Sequence, residues 1–228
     1  MGLDDGLPPE SMPAALTARL AELGVVAVLV IDDPAQAVPL AESLLEGGVA
    51  AMELTLRTPA ALESLQRIRA AVPQMLAGIG TVLTPGQVEA AHAAGAQFAV
   101  APGLNPRVVE QAQRLGLPFA PGIATPSELE LALELGCRTV KFFPAEPLGG
   151  LKYLSSLAAP YAHLGVRYVP LGGVSQDNLA AYLAQPSVLA VGGSWLASRD
   201  DIRGGAWSAI RQRAADAMAI VRQVRKGS

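Results

Sequence analysis

Proline recurs along this chain directly after a helix-capping residue: Asp33-Pro34, Thr58-Pro59, Thr84-Pro85, Asn105-Pro106 and Thr125-Pro126. Proline suits the first helical position, where its missing N–H has no bond to lose. In "TPGQ" (84–87) and "TPSE" (125–128) an amide or acid follows three residues after the threonine, the reciprocal capping pattern. Each proline opens an Ala- and Leu-rich segment of helical character. Gly47, Gly95, Gly116 and Gly136 close four of them, where a left-handed cap is expected.

Between these helices lie short apolar runs of the kind buried on both faces of a parallel sheet. They cover residues 25–31, 49–56, 75–82, 98–102, 118–123, 139–145, 166–173 and 188–195. Eight strand–helix units in 228 residues, with no compositional shift to mark a linker, predict an α/β fold, a closed (β/α)8 TIM barrel. The alternative is an open doubly wound sheet, but no strand here runs into a GxGxxG turn with a ribose-binding acid downstream. An extra N-terminal helix from about Met12 to Leu23 is placed to cover the bottom of the barrel. A last helix over about 205–224 closes the eighth unit. Residues 1–11, acidic and proline-bearing, read as a flexible segment, and 12–228 as a single barrel domain.

Hydrophobic residues are 51% of the chain and charged residues 16%, ample material for one large core. A net charge of −3 with 4% aromatics supplies neither a basic footprint nor stacking platforms, so no nucleic-acid partner is expected. The apolar run 24–31 is too short to span a bilayer, and no membrane partner is expected either. Cys137, the single cysteine, has no partner for an internal disulfide, which fits a cytoplasmic protein.

In such barrels the chemistry sits where strands end and loops to helices begin. The polar residues there are Glu53, Thr55 and Arg57 in the second unit, Thr81 in the third and Lys141 in the sixth. The seventh and eighth end in Gly172-Gly173 and Gly192-Gly193-Ser194. Lys141 is one of three lysines against fourteen arginines, and it stands between Val140 and Phe142-Phe143. A strand lysine commonly reaches solvent or pairs with an acid. Burial disfavours an ammonium ion, however, and the neutral amine is a nucleophile that condenses with a ketone to a Schiff base. Arginine could not replace it, because guanidinium keeps its proton.

Glu53 is the carboxylate embedded in an apolar run. It is either ion-paired with Arg57, which a four-residue separation puts on the same strand face, or held near Lys141 to move protons as general acid and base. Arg57 and Thr81 suit a carboxylate ligand, through a guanidinium fork and a hydroxyl; a surface ion pair and an ordinary strand threonine are the plainer alternatives. The two glycine pairs suit a phosphate, since loops after strands 7 and 8 commonly bind one through backbone N–H groups. Ser175 and Ser194 could add hydroxyls. His92 and His163 fall on helices without ligand partners at metal spacing, so no metal site is expected.

The stretches "GGVAAMELTLRTP", "GIGTVLTP", "AGAQFAVAPGLNP", "PFAPGIATPSE", "VKFFPAE", "LGGVS" and "VGGSWL" span roughly residues 20–200. Through them the chain resembles the bacterial 2-keto-3-deoxy-6-phosphogluconate (KDPG) and 4-hydroxy-2-oxoglutarate (KHG) aldolases. The resemblance implies a class I lyase without metal or cofactor on a (β/α)8 barrel, cytoplasmic and homotrimeric. Its small-molecule partners would be a 2-keto acid sugar phosphate and pyruvate, with KDPG cleaved to pyruvate and glyceraldehyde 3-phosphate, and KHG to pyruvate and glyoxylate. The resemblance puts the Schiff-base lysine on Lys141 and the catalytic glutamate on Glu53. It puts carboxylate binding on Arg57 and Thr81, and the pyruvyl pocket on Pro102 and Phe143. Phosphate binding falls on Gly172, Gly173, Gly193 and Ser194. Two positions depart from the pattern: Leu171, where phosphogluconate-specific members commonly carry Thr, and Val30, where many relatives carry Arg. Both bear on the substrate rather than the reaction. 2-Keto-3-deoxy-6-phosphogalactonate aldolase and a non-aldolase phosphate-binding barrel are the alternatives.

Overall fold

The computed structural model describes residues 6–226, in which strand and helix alternate from Val25 onward. The strands are β1 (Val25–Leu29), β2 (Ala51–Thr55), β3 (Leu76–Gly80), β4 (Ala99–Val100), β5 (Phe119–Ala120), β6 (Gly122–Ile123), β7 (Thr139–Phe142), β8 (Arg167–Pro170) and β9 (Val191–Gly193). Every pairing between them is parallel, in one sheet ordered β5-β4-β3-β2-β1-β9 and another ordered β6-β7-β8. β2, β3 and β7 are buried at each position, as apolar runs covered on both faces must be. The fifth run yields two strands rather than one. Pro121 interrupts it, having no N–H for the ladder, while its carbonyl still accepts from the Lys141 N–H at 2.9 Å.

The helices are α1 (Ala14–Leu23), α2 (Ala37–Glu46), α3 (Ala61–Ala71), α4 (Pro85–Ala93), α5 (Pro106–Arg114), α6 (Pro126–Glu134), α7 (Gly150–Ala158), α8 (Gln176–Leu183), α9 (Arg199–Arg203) and α10 (Trp207–Lys226). Thr84 and Thr125 form capping boxes with Gln87 and Glu128, and Asn105 accepts from the Arg107 N–H. The other two proline starts differ. Asp33 caps a 3-10 turn, Pro34–Gln36, that precedes α2. Thr58 caps nothing: Ala60 precedes α3, and the Thr58 hydroxyl donates to the Ile31 carbonyl, tying the loop after β2 to the loop after β1.

Gly95, Gly116 and Gly136 are left-handed at φ +83, +65 and +73, as expected. Gly47 is not, with φ −78; Gly48 makes the turn at φ +93. Gly47 answers a packing need instead. A Cβ there would lie 2.4 Å from Ala214 Cβ and 2.5 Å from the Arg211 carbonyl on α10.

The apolar side chains form two layers. An outer layer joins the strands to the surrounding helices. An inner one gathers Val26, Ala51, Leu76, Phe98, Val100 and Ala120, from or beside the strands, against Met12 and Leu20 of the N-terminal segment. α1 thus covers the end from which the strands start. Each fully buried Leu or Phe contributes about 1.5–3 kcal/mol relative to exposure.

Residues 1–5 of the segment expected to be flexible lie outside the described residues. Residues 8–11 run along the turn before β7, held there by hydrogen bonds. Arg138 N donates to Glu10 Oε2 at 3.0 Å, Arg138 Nη1 to the Pro8 carbonyl at 3.1 Å, and Ser11 N to the Gly136 carbonyl at 2.8 Å. Among the described residues no helix is long and apolar enough to cross a membrane.

Candidate active site

Lys141 is the third residue of β7 and Glu53 the third of β2. Strand alternation turns both side chains inward, and they meet there, Lys141 Nζ lying 3.2 Å from Glu53 Oε1. Their side chains are 7% and 3% exposed. Two charges are tolerated at such depth only in each other's company. The amine also stands 5.4 Å from the centroid of the Phe143 ring, whose face attracts a cation. Glu53 has room for its carboxylate because β3 offers no side chain at Gly80. A Cβ on Gly80 would fall 1.8 Å from Glu53 Oε1.

Of the two partners open to Glu53 in the sequence, the fold chooses Lys141. Arg57 lies past the end of β2, its Nε donating to Thr55 Oγ1 at 3.1 Å, and Thr55 Oγ1 donates in turn to the Leu29 carbonyl at 3.0 Å. Among the described residues no carboxylate pairs with Arg57.

Above the pair, at the ends where the strands finish, opens a cleft of about 370 Å³. It brings together Glu53, Lys141, Arg57, Thr81, Pro102 and Phe143, with Gly172 and Ser194 at its rim. Gly173 and Gly193 stand one residue behind that lining. Ser175 is not part of it and serves as the N-cap of α8. Beneath the pair is a closed space of about 30 Å³ bounded by Met12, Leu20, Val26, Phe98 and Val100. Its wall is nearly all apolar, with Glu53, Lys141 and Thr139 as the polar residues that reach it. Lys141 therefore sits between the open cleft and this enclosed apolar space. A crevice of about 390 Å³ beside Tyr168 and Gln185 holds none of these residues.

Two features of the cleft, the conformation of Thr81 and the space at Gly80, went unread in the sequence. Thr81 has φ +62, a left-handed conformation that costs a β-branched residue about 1–3 kcal/mol. Gly80 makes space for the carboxylate, as described. Leu171 fills the wall between β8 and β9, so closely that a Cβ on Gly192 would lie 2.3 Å from its Cγ. The "GIGT" stretch (78–81) was the available signal for the first two, since two glycines in a buried strand mark close approach by something.

Gly172 and Gly173 are left-handed at φ +94 and +82. Neither N–H, nor that of Ser194, donates to an acceptor among the described residues. Consecutive unengaged N–H groups in such a turn form an anion-binding concavity. The site thus combines an amine in contact with a carboxylate, an unpaired guanidinium, and a nest for an oxyanion. Such a set can condense with a ketone while holding negative groups on either side. Among the described residues no group of three or more His, Cys, Asp or Glu side chains is arranged to hold a metal ion.

The sequence model of the KDPG and KHG aldolases matches residues 16–213. The chain is 46% identical over 202 residues to the 2-dehydro-3-deoxy-phosphogluconate aldolase of Treponema pallidum, covering 89% of this chain and 95% of that one. It is 43% identical over 194 residues to the KHG/KDPG aldolase of Escherichia coli K12, covering 85% and 90%. Among solved structures, the KDPG aldolase of Legionella pneumophila superposes with a TM-score of 0.83 at 38% identity, covering 87% of this chain and 96% of that one. That crystal structure holds pyruvate captured at low pH as a covalent carbinolamine intermediate.

Proposed function

Because the chain belongs to the KDPG and KHG aldolase family, we propose that it is a class I aldolase whose Schiff-base lysine is Lys141. It cleaves 2-keto-3-deoxy-6-phosphogluconate to pyruvate and glyceraldehyde 3-phosphate, and 4-hydroxy-2-oxoglutarate to pyruvate and glyoxylate. The observation that carries the reading is the buried 3.2 Å contact of Lys141 Nζ with Glu53 Oε1 on the floor of the cleft.

The neutral amine of Lys141 attacks the C2 ketone, with Arg57 and the Thr81 hydroxyl holding the neighbouring carboxylate. The carbinolamine must lose its oxygen as water. Glu53, within hydrogen-bond reach of the same nitrogen, delivers that proton directly or through a water. In the iminium, C2 becomes an electron sink. The Glu53 carboxylate then takes the proton of the C4 hydroxyl, the C3–C4 bond breaks, and its electron pair moves into the C2–C3 bond as the iminium nitrogen becomes an enamine. The aldehyde leaves. Protonation of C3 restores the iminium, and water adds to C2 to release pyruvate and the free amine. Phe143 and Pro102 wall the pyruvyl unit, and the Gly172-Gly173 turn with Gly193 and Ser194 receives phosphate. A lactate dehydrogenase-coupled assay for pyruvate from KDPG and KHG tests the reading: release must occur with the wild-type chain and vanish in Lys141→Met.

We also propose that the two sheets are parts of one closed (β/α)8 barrel and that residues 12–228 are a single domain. Backbone bonds across both gaps support this. Gly122 N of β6 donates to the Gly103 carbonyl just past β4 and Lys141 N to the Pro121 carbonyl on one side, while Tyr168 N donates to the Ser187 carbonyl and Leu189 N to the Tyr168 carbonyl on the other. A cytoplasmic homotrimer rests on the family resemblance alone, and light scattering after size exclusion tests the trimer.

Leu171 favours a second reading of the substrate. With an aliphatic wall in place of a hydroxyl, the site lacks one donor that could sense configuration at C4, so the galactonate epimer is a candidate substrate beside KDPG.

A further inference from the structure

The guanidinium of Arg57 is held by a single hydrogen bond. Its Nε donates to Thr55 Oγ1 at 3.1 Å, and among the described residues no other acceptor receives it. Open space lies on two sides. Arg57 lines the cleft of about 370 Å³ and also an adjoining lobe of about 340 Å³, which extends past Ser194 toward Val30 and Arg199. A long, exposed side chain with such room spreads over several rotamers unless something holds it.

Thr55 is placed to hold it. It is the last residue of β2, 3% exposed, and shares a strand face with Glu53. Its hydroxyl proton is committed to the carbonyl of Leu29, the last residue of β1, at 3.0 Å. Toward Arg57 the oxygen is therefore an acceptor only. Branching at Cβ restricts χ1, so this acceptor is fixed to two strands at once. The backbone then turns sharply: Arg57 N donates to the Thr55 carbonyl at 2.7 Å, while Leu56 N stays bonded to the Gly80 carbonyl of β3 at 2.8 Å. The turn folds the arginine back onto the threonine instead of letting it run on with the strand.

Resting on the aldolase reading, we propose that Thr55 is a positioning residue for the reaction, orienting Arg57 toward the carboxylate beside the reacting ketone. Engaging Nε leaves the edge with Nη1 and Nη2 for a fork on both carboxylate oxygens. The guanidinium is thus ordered in the folded protein before substrate arrives, and binding need not order it. In this role Thr55 acts through Arg57 rather than on a reacting atom. The carboxylate is held alike in the ground state and the transition state, so loss of this order falls on KM rather than on kcat.

The test measures pyruvate release from KDPG by wild type, Thr55→Val, Thr55→Ser, Arg57→Ala and the double variant of Thr55→Val with Arg57→Ala. Valine keeps the shape and removes the acceptor. It also leaves the Leu29 carbonyl without its donor, so rates are read well below each variant's melting temperature. Thr55→Val should raise KM for KDPG by at least about threefold, within the range for one side chain left unordered, with kcat within about twofold of wild type. The pyruvate concentration that half-saturates borohydride trapping should rise alongside, because pyruvate carries the same carboxylate. Thr55→Ala, in which a water can serve the Leu29 carbonyl, is expected to shift KM in the same way, so the reading does not depend on the valine variant folding. Thr55→Ser keeps both bonds and should recover most of the loss. In the Arg57→Ala background, Thr55→Val should change kcat/KM by less than about twofold, since no guanidinium remains to be oriented. A smaller rise in KM, a loss lying in kcat, a larger loss in the Arg57→Ala background, or a serine variant as impaired as the valine one overturns the role of Thr55 and leaves the aldolase reading intact. A wild-type chain that releases pyruvate from neither KDPG nor KHG overturns both.

Discussion

Lys141 Nζ and Glu53 Oε1 lie 3.2 Å apart across the interior, one from β7 and the other from β2, with less than a tenth of either side chain exposed. Residues 88 positions apart in the chain are thereby made one chemical unit. Replacing Glu53 by Gln keeps the shape and removes the group proposed to move protons. General acid–base groups contribute about 10²–10⁴-fold, so kcat for pyruvate release should fall by that order. A Glu53→Gln enzyme within fivefold of wild type would remove Glu53 from the chemistry.

Gly80 controls that geometry from β3. A Cβ there would overlap the Glu53 carboxylate, at 1.8 Å from Oε1. Gly80→Ala must push the carboxylate off the lysine, and a misplacement of about 1 Å costs on the order of 10²-fold in rate. Steady-state kinetics on the folded variant, with circular dichroism to confirm the fold, check this. Unchanged kcat would mean that the carboxylate position is not critical.

Thr81 trades stability for placement. Its φ of +62 is one that glycine adopts freely, while a β-branched residue is strained there by about 1–3 kcal/mol. Glycine costs about 0.5–1 kcal/mol in unfolded-chain entropy. Thr81→Gly should therefore raise the melting temperature while raising KM for KDPG, because the hydroxyl proposed to hold the carboxylate is gone. A lowered melting temperature with KM unchanged would show that neither strain nor hydroxyl matters.

Leu171 bears on stereochemistry. Wild type is expected to cleave KDPG and its C4 epimer, 2-keto-3-deoxy-6-phosphogalactonate, with kcat/KM values within about tenfold, the worth of one absent hydrogen bond. Leu171→Thr should widen the gap toward the gluconate form. Strong gluconate preference in wild type would show that selection lies elsewhere in the wall.

Burial pushes the Cys137 thiol up to about 11 from an ordinary value near 9. The unfolded chain releases this proton first, between pH 9 and 11, while the folded chain keeps it. Stability from this source is therefore complete below pH 9 and declines as pH rises to 11. Urea midpoints measured across that window should fall more steeply in wild type than in Cys137→Ala. Equal slopes would place the alkaline transition on other groups.

Much of this was legible in the chain because it depends on local rules. Proline after Thr84, Asn105 and Thr125 marks helix starts whatever the surroundings, and Lys141 in an apolar run signals a buried amine. What could not be read depends on contacts between distant segments. Thr58 looks like a cap until Ile31 offers its carbonyl from the neighbouring loop. Gly47 looks like a left-handed turn until α10 packs against it. Glu53 has Arg57 near in sequence, yet takes Lys141 because both third residues point to the same interior. The split of the fifth strand follows from Pro121, a local fact whose effect shows only once the ladder on either side is known.

The most direct measurement is borohydride reduction of the enzyme mixed with pyruvate, followed by mass spectrometry of its peptides. The account expects one reduced pyruvyl group per chain, carried on Lys141, and none in Lys141→Met. An adduct on Lys152 or Lys226, or an unmodified wild-type chain under conditions that trap a known class I aldolase, would contradict it.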